Sequence, residues 1–147
     1  MAHPGPCAEH GYYSRVFDAT PEAIRAILCS AARYLRLLLP EDVAGSVEIV
    51  LAEILNNIGE HGYPAGCAGR IRLSLMLDKS DLFCTVSDRG DEIPAGLFQT
   101  GPPRCSRPVP ADLPEGGFGT FLIRDLTREI HYRREDGCNL ITFHMTV

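Results

Sequence analysis

Glu53, Asn57 and His61 fall four residues apart in the stretch "EILNNIGEHGY", so on a helix a carboxylate, an amide and an imidazole share one face. A carboxylate so placed can take the proton of an attacking hydroxyl, and an amide oxygen suits a hard cation such as Mg²⁺. A second group stands in "VSDRGDEIP", where Asp88 and Gly90 follow an apolar run. At a strand end a carboxylate can accept a hydrogen bond, and a glycine lets a flat ligand approach the backbone. A third group, "EGGFGTFLI", puts Gly116, Gly117, Gly119 and Thr120 ahead of another apolar run. A glycine-rich turn that opens a helix presents free N–H groups and the positive end of the helix dipole, which suit phosphates. Each group also has a plainer reading. Asp-x-Gly at a strand end is commonly a turn, glycines before a helix often only relieve a tight connection, and a histidine near a helix end commonly caps or packs.

The elements that must position these residues are legible from periodicity. Thr20, Pro21 and Glu22 read as an N-cap followed by proline at the first helical position. Ile24, Ile27, Leu28, Ala31, Leu35 and Leu38 then recur at helical spacing until Pro40 breaks the run. A second helix starts at "PEDV", has its apolar positions at Val43, Val47, Val50, Ile54 and Ile58, and delivers Glu53, Asn57 and His61 before Gly62, Pro64 and Gly66 end it. From Arg70 the period becomes two, with Ile71, Leu73, Leu75 and Leu77 on one face, and "DLFCTVSD" reads as the partner strand of a hairpin. Residues 89–116 hold six prolines and four glycines; a loop of that length usually serves as a lid or binding segment. A third helix is expected after "EGGFG", and two last strands flank an Asp136-Gly137 turn. A short extended segment around "YYSRVFDA" precedes the first helix. The class is α+β, a mostly antiparallel sheet covered on one face by helices.

Composition narrows the partners. A chain of 147 residues is long enough for one domain with a sizeable core, and its net charge of −5 argues against general nucleic-acid binding. The basic clusters "RYLR" and "YRRE" are interrupted by apolar residues. No apolar run approaches a membrane span and no leader pattern opens the sequence, which points to the cytoplasm. The six cysteines, at 7, 29, 67, 84, 105 and 138, include no Cys-x-x-Cys pair and read as reduced thiols. His3, Cys7 and His10 have metal-like spacing, but a Pro/Gly-rich terminus more often means disorder.

The order of the three groups is more specific than any one of them. A helix with Glu-x-x-x-Asn-x-x-x-His, a strand ending in Asp-x-Gly, a long loop and Gly-x-Gly at a helix start resemble the GHKL ATPase superfamily of histidine-kinase-like (HATPase_c) domains. Within it, "EILNNIGEHGYP", "DRGDEIP" and "GGFGTFLIRDLTREIHYRREDGCN" look most like the small anti-sigma-factor serine kinases of bacterial partner-switching systems. The likeness runs from about Phe17 to Val147. It implies a Bergerat-type two-layer sandwich over residues 12–147, with 1–11 expected to be a disordered tail. It further implies ATP and Mg²⁺ as cofactors, with Glu53 as general base and Asn57 as metal ligand. By the same resemblance His61 closes the first box, Asp88 accepts from the adenine amino group, and Gly90 makes room for the ring. Gly117 and Gly119, with Gly116 and Thr120 beside them, would cradle the phosphates.

Departures and further candidates follow from the same likeness. Glu92 stands where the family's adenine loop usually has a second glycine, and a left-handed backbone there would cost glutamate more than glycine. Arg104 and Arg107 in the proline-rich segment are candidates to reach a terminal phosphate, although exposed loop arginines are more often simply solvated. Thr142 is a candidate to face the adenine from the last strand; alternation alone leaves its face open. The function implied is a cytoplasmic protein that sequesters a sigma factor and phosphorylates a serine of an anti-anti-sigma (STAS-type) antagonist, with a homodimer suggested. The alternative is a non-catalytic ATP-binding module that controls partners by binding alone. A sensor histidine kinase is disfavoured because only about twenty residues precede the first helix, too few for a dimerisation hairpin.

Overall fold

The computed structural model describes residues 10–63, 68–94 and 129–147. Strand β1 (His10–Asp18) leads into helices α1 (Pro21–Leu38) and α2 (Glu41–Asn57), and a π-helical turn (Ile58–Gly62) extends α2. Strands β2 (Arg70–Asp78), β3 (Asp81–Asp88), β4 (Glu129–Glu135) and β5 (Cys138–Thr146) complete the described elements. They form a five-stranded sheet in the order β1-β2-β3-β5-β4, with every neighbouring pair antiparallel. The α+β reading and the hairpins therefore stand. β1 begins at His10, so residues 10 and 11 belong to the sheet rather than to the expected tail. The long loop from residue 95 onward, the third helix, Arg104, Arg107, Gly116, Gly117, Gly119 and Thr120 lie outside the described residues.

Local chemistry accounts for the boundaries. The Ala23 N–H donates to Thr20 Oγ1 at 3.1 Å, so a side chain satisfies a backbone donor that the helix leaves open. Pro40 disfavours helical geometry at Leu39, which turns extended (φ −124°, ψ 153°) and ends α1. Glu41 and Asp42 put negative charge in the first turn of α2, where the helix dipole favours it. The hairpin turns use left-handed residues, Lys79 (φ 55°) between β2 and β3, and Asp136 (φ 52°) with Gly137 (φ 74°) between β4 and β5.

One face of the sheet takes the helices. Leu35, Val47, Ile54 and Ile58 join Leu73, Leu75, Val86, Ile141 and Phe143 in one buried cluster. Alternation holds along β2 and β5, so each strand sends every second residue into that core. The register of β3 with β5 sets Asp88 opposite Asn139 at one end of the sheet. The chemistry gathers there.

Candidate functional site

Helix α2 carries Glu53 half-buried and Asn57 only 6 % exposed. It does not continue as an α-helix to His61. The Ile58 N–H is shared between the carbonyls of Ile54 and Leu55, and the chain widens into the π-helical turn. His61 lies within this π-helical turn and is exposed, whereas Asn57 is buried. Glu53 and Asn57 thus sit on α2 itself, and His61 is carried by the π-helical turn that extends it. Gly59 and Gly62 weaken the α-helix at this point, and π-turns of this kind occur frequently at functional sites.

Asp88, the last residue of β3, is 5 % exposed, and its two carboxylate oxygens have different surroundings. Oδ2 accepts the Gly90 N–H at 2.8 Å and Asn139 Nδ2 at 3.4 Å. Oδ1 is buried and has no hydrogen-bond partner among the described residues. Burial pushes the Asp88 carboxyl above its usual range, opposed by the Gly90 N–H, Tyr63, Asn139 and the charge of Arg134. An unpaired buried acceptor costs about 1–3 kcal/mol, and such a group is kept where a ligand supplies the donor. Asn57 poses the same problem, for its Nδ2 is also buried without a partner.

The end of the π-turn is tied to the Asp88 loop. The Asp91 N–H donates to the Gly62 carbonyl at 2.9 Å, and the Arg89 N–H donates to Tyr63 Oη at 3.1 Å. The Tyr63 hydroxyl is pushed up to about 12, first by burial and then by the Asp88 charge. The segment that follows Asn57 and the loop that follows Asp88 are thereby tied together.

Gly90 is needed for a nearer reason than a ligand. A Cβ there would lie 2.6 Å from the Gly62 carbonyl oxygen, 2.8 Å from Asp88 Oδ2 and 2.9 Å from the Tyr63 ring. The protein itself fills the space that a side chain would need. Gly90→Ala is therefore expected to destabilise the fold by about 1–3 kcal/mol through overpacking, lowering the melting temperature by about 3–10 °C. A variant melting within about one degree of the parent would mean that the loop yields freely.

Glu92 is exposed, and among the described non-glycine residues only Lys79 and Asp136 have positive φ. The loop thus passes Glu92 without the left-handed conformation that would have penalised it. Thr142 is corrected: it sits between the buried Ile141 and Phe143, beside Phe83, Thr85, His131 and His144 on the open face of the sheet. The inward residue of β5 at the Asp88 end is Asn139. Asn139, Tyr132, Arg134, Tyr63 and Gly62 were not singled out from the sequence. Asn139 carried a signal, because it is in phase with Ile141, Phe143 and Met145 and so is a polar residue on a core face.

Among the described residues no three metal-ligating side chains of His, Cys, Asp or Glu come together. The donor set nonetheless fits Mg²⁺, which takes hard oxygens and commonly one or two protein ligands, with phosphates and water completing the shell. Of the two asparagines that end α2, Asn56 is exposed and Asn57 is the buried one with an amide oxygen to offer. No helix among the described residues is long and apolar enough to cross a membrane.

Residues 17–145 match the family described as the histidine kinase-like ATPase domain. The chain is 32 % identical over 104 residues to serine-protein kinase RsbW of Halalkalibacterium halodurans, covering 69 % of this chain and 62 % of that relative. It is 27 % identical over 93 residues to serine-protein kinase RsbW of Oceanobacillus iheyensis, covering 62 % and 58 %. The chain thus spans about three fifths of the length of the curated relatives it matches. Among solved structures, the RsbU and RsbW domains of a Mycobacterium tuberculosis protein align with a TM-score of 0.65 at 17 % identity, covering 92 % of this chain and 32 % of that one. The histidine kinase domain of a blue-light activated histidine kinase from Erythrobacter litoralis aligns with a TM-score of 0.55 at 19 % identity, covering 84 % and 60 %. At these identities the structures speak to the fold alone.

Proposed function

The chain belongs to the histidine kinase-like ATPase domain family, and on that premise we propose that it is an ATP-binding anti-sigma factor that captures a sigma factor in the cytoplasm and phosphorylates a serine of an anti-anti-sigma, STAS-type antagonist. The observation that carries the nucleotide half of this reading is the pair of orphaned buried polar atoms, Asp88 Oδ1 and Asn57 Nδ2, on segments tied together by the Asp91–Gly62 hydrogen bond. Asp88 Oδ1 is an acceptor held ready for a donor such as the exocyclic amino group of adenine. The kinase and partner assignments draw on the likeness to the two serine-protein kinases.

In this reading Asn57 holds Mg²⁺ through its amide oxygen. When bound, the metal neutralises charge on the phosphates. Glu53, one turn earlier on α2 and half-buried, accepts the proton of the attacking seryl hydroxyl. Gly117 and Gly119, with Gly116 and Thr120, cradle the phosphates, and Asp88 orients the base. Transfer to the antagonist leaves a dianionic phosphoserine in its interface, which weakens that complex and returns the kinase to the sigma factor. A homodimer accords with the family resemblance.

The test incubates the protein with ATP, Mg²⁺ and the candidate antagonist and looks for phosphoserine by mass spectrometry, alongside thermal melting with and without nucleotide. A rise in melting temperature with phosphoserine formed is expected, because a ligand that binds only the folded state stabilises it by mass action. A rise without phosphoserine would favour the non-catalytic module. No rise would remove nucleotide binding altogether.

A further inference from the structure

Seven hydrogen bonds link the β4–β5 hairpin to Asp88 and the loop after it or brace that linkage, and five of the seven involve a single amide. Asn139, 1 % exposed at the start of β5, accepts through Oδ1 from the Tyr132 hydroxyl at 2.6 Å and from Arg134 Nη1 at 2.8 Å. Its Nδ2 donates to the Asp91 carbonyl at 2.9 Å and reaches the Gly90 carbonyl and Asp88 Oδ2 at 3.4 Å. Arg134 Nη1 also donates to the Gly90 carbonyl at 2.9 Å, and the Tyr132 hydroxyl accepts the Ile93 N–H at 3.2 Å. The amide cannot be reversed, because its oxygen faces two donors and its nitrogen faces only acceptors. The register explains the convergence, since Asn139 lies opposite Asp88 on one side and Arg134 on the other.

We infer that Asn139, locked in orientation by Tyr132 and Arg134, is the positioning residue of the nucleotide site: it occupies one oxygen of Asp88 and holds residues 88–93 so that the other oxygen stays aimed at the base. The inference rests on the nucleotide reading given above. A polar residue on a core face would otherwise be a defect, and here its Nδ2 is spent on Asp88 and the loop while its oxygen is held by Tyr132 and Arg134 of β4. Preorganising an acceptor lowers the ordering that a ligand must impose, so the clasp acts on affinity rather than on chemistry. The same contacts help keep Asp88 ionised against its burial. The charged and titratable groups that act on its carboxylate are Tyr63, from the end of the π-turn, and Arg134, from β4.

Two variants separate this role from a merely structural one. Asn139→Ala removes the amide, and Tyr132→Phe removes only the hydroxyl that orients it, keeping the ring. Each is examined by calorimetric titration with ATP and Mg²⁺ across pH, and by hydrogen exchange of residues 88–93 without nucleotide. Both variants should bind ATP about tenfold more weakly, the loss of roughly one charge-assisted hydrogen bond. In Asn139→Ala the acid limb of binding should move to higher pH, because Asp88 loses a donor that favours its ionised form. Loop amides should exchange faster in both, with α1 and α2 unchanged. Should Asn139→Ala fail to fold, Tyr132→Phe carries the test alone. Parental affinity and pH profile in a folded variant would overturn the inference. A parent protein that binds no ATP, while its variants still loosen the loop, would instead overturn the nucleotide reading beneath it.

Discussion

Glu53→Gln is expected to slow serine phosphorylation by about 10²- to 10⁴-fold, the usual contribution of a general base, while ATP affinity stays within about twofold. The amide keeps the shape of the carboxylate but cannot take the seryl proton. Glu53 is half-buried on α2, a rigid element whose neighbouring residues Val50, Leu51, Ile54 and Leu55 are all in the core. The substitution should therefore leave the fold in place. Single-turnover transfer to the antagonist, measured beside nucleotide titration, gives the two quantities separately. A drop well inside tenfold would mean that the carboxylate does no proton transfer. Sigma-factor capture should survive in the same variant, since capture needs a surface and no chemistry. Failure of capture and phosphorylation together, with ATP binding intact, would make Glu53 an interface residue.

Asp88→Asn should weaken ATP binding by about 10- to 100-fold, because a hydrogen bond to an ionised acceptor is replaced by one to a neutral amide. The same change should leave the nucleotide-free protein melting no lower than the parent at neutral pH. Burial raises the folded-state pKa of Asp88 above its ordinary value, so the folded chain holds this proton more tightly than the unfolded chain. The stability this group contributes is therefore fully present below the usual carboxylate range and is lost as pH rises through the raised value. At neutral pH the parent bears the burial of a charge that the amide does not carry. Acidification should close the difference in melting temperature and, in the parent alone, weaken ATP binding as the acceptor is protonated. Melting curves with and without ATP across pH read both effects. An undiminished ATP shift in Asp88→Asn would take Asp88 out of the site.

The elements were largely written in local pattern. The alternation of Ile71, Leu73, Leu75 and Leu77, the Thr20–Pro21 cap, the break at Pro40 and the Asp136-Gly137 turn each act within a few residues, and each is found where periodicity puts it. Asn57 and Asp88 could be named for the same reason, since their types and the order of their segments do not depend on contacts. What lay beyond the sequence was everything decided by one element meeting another. An α-helical row from Glu53 to His61 assumes 3.6 residues per turn, and the chain instead carries His61 on a π-helical turn that starts at Ile58. Gly90 was assigned to a ligand, yet the atoms that exclude a side chain there belong to Gly62, Tyr63 and Asp88. The face of Thr142 was open until Ile141 and Phe143 were seen to pack against the helices. Asn139 was passed over because its meaning lies in the β3–β5 register, which sets it against Asp88 although 51 residues separate them. Periodicity determines which residues share a surface; only the packed sheet decides which atoms of distant segments come within hydrogen-bonding reach, because that depends on strand order and register, which no local pattern encodes.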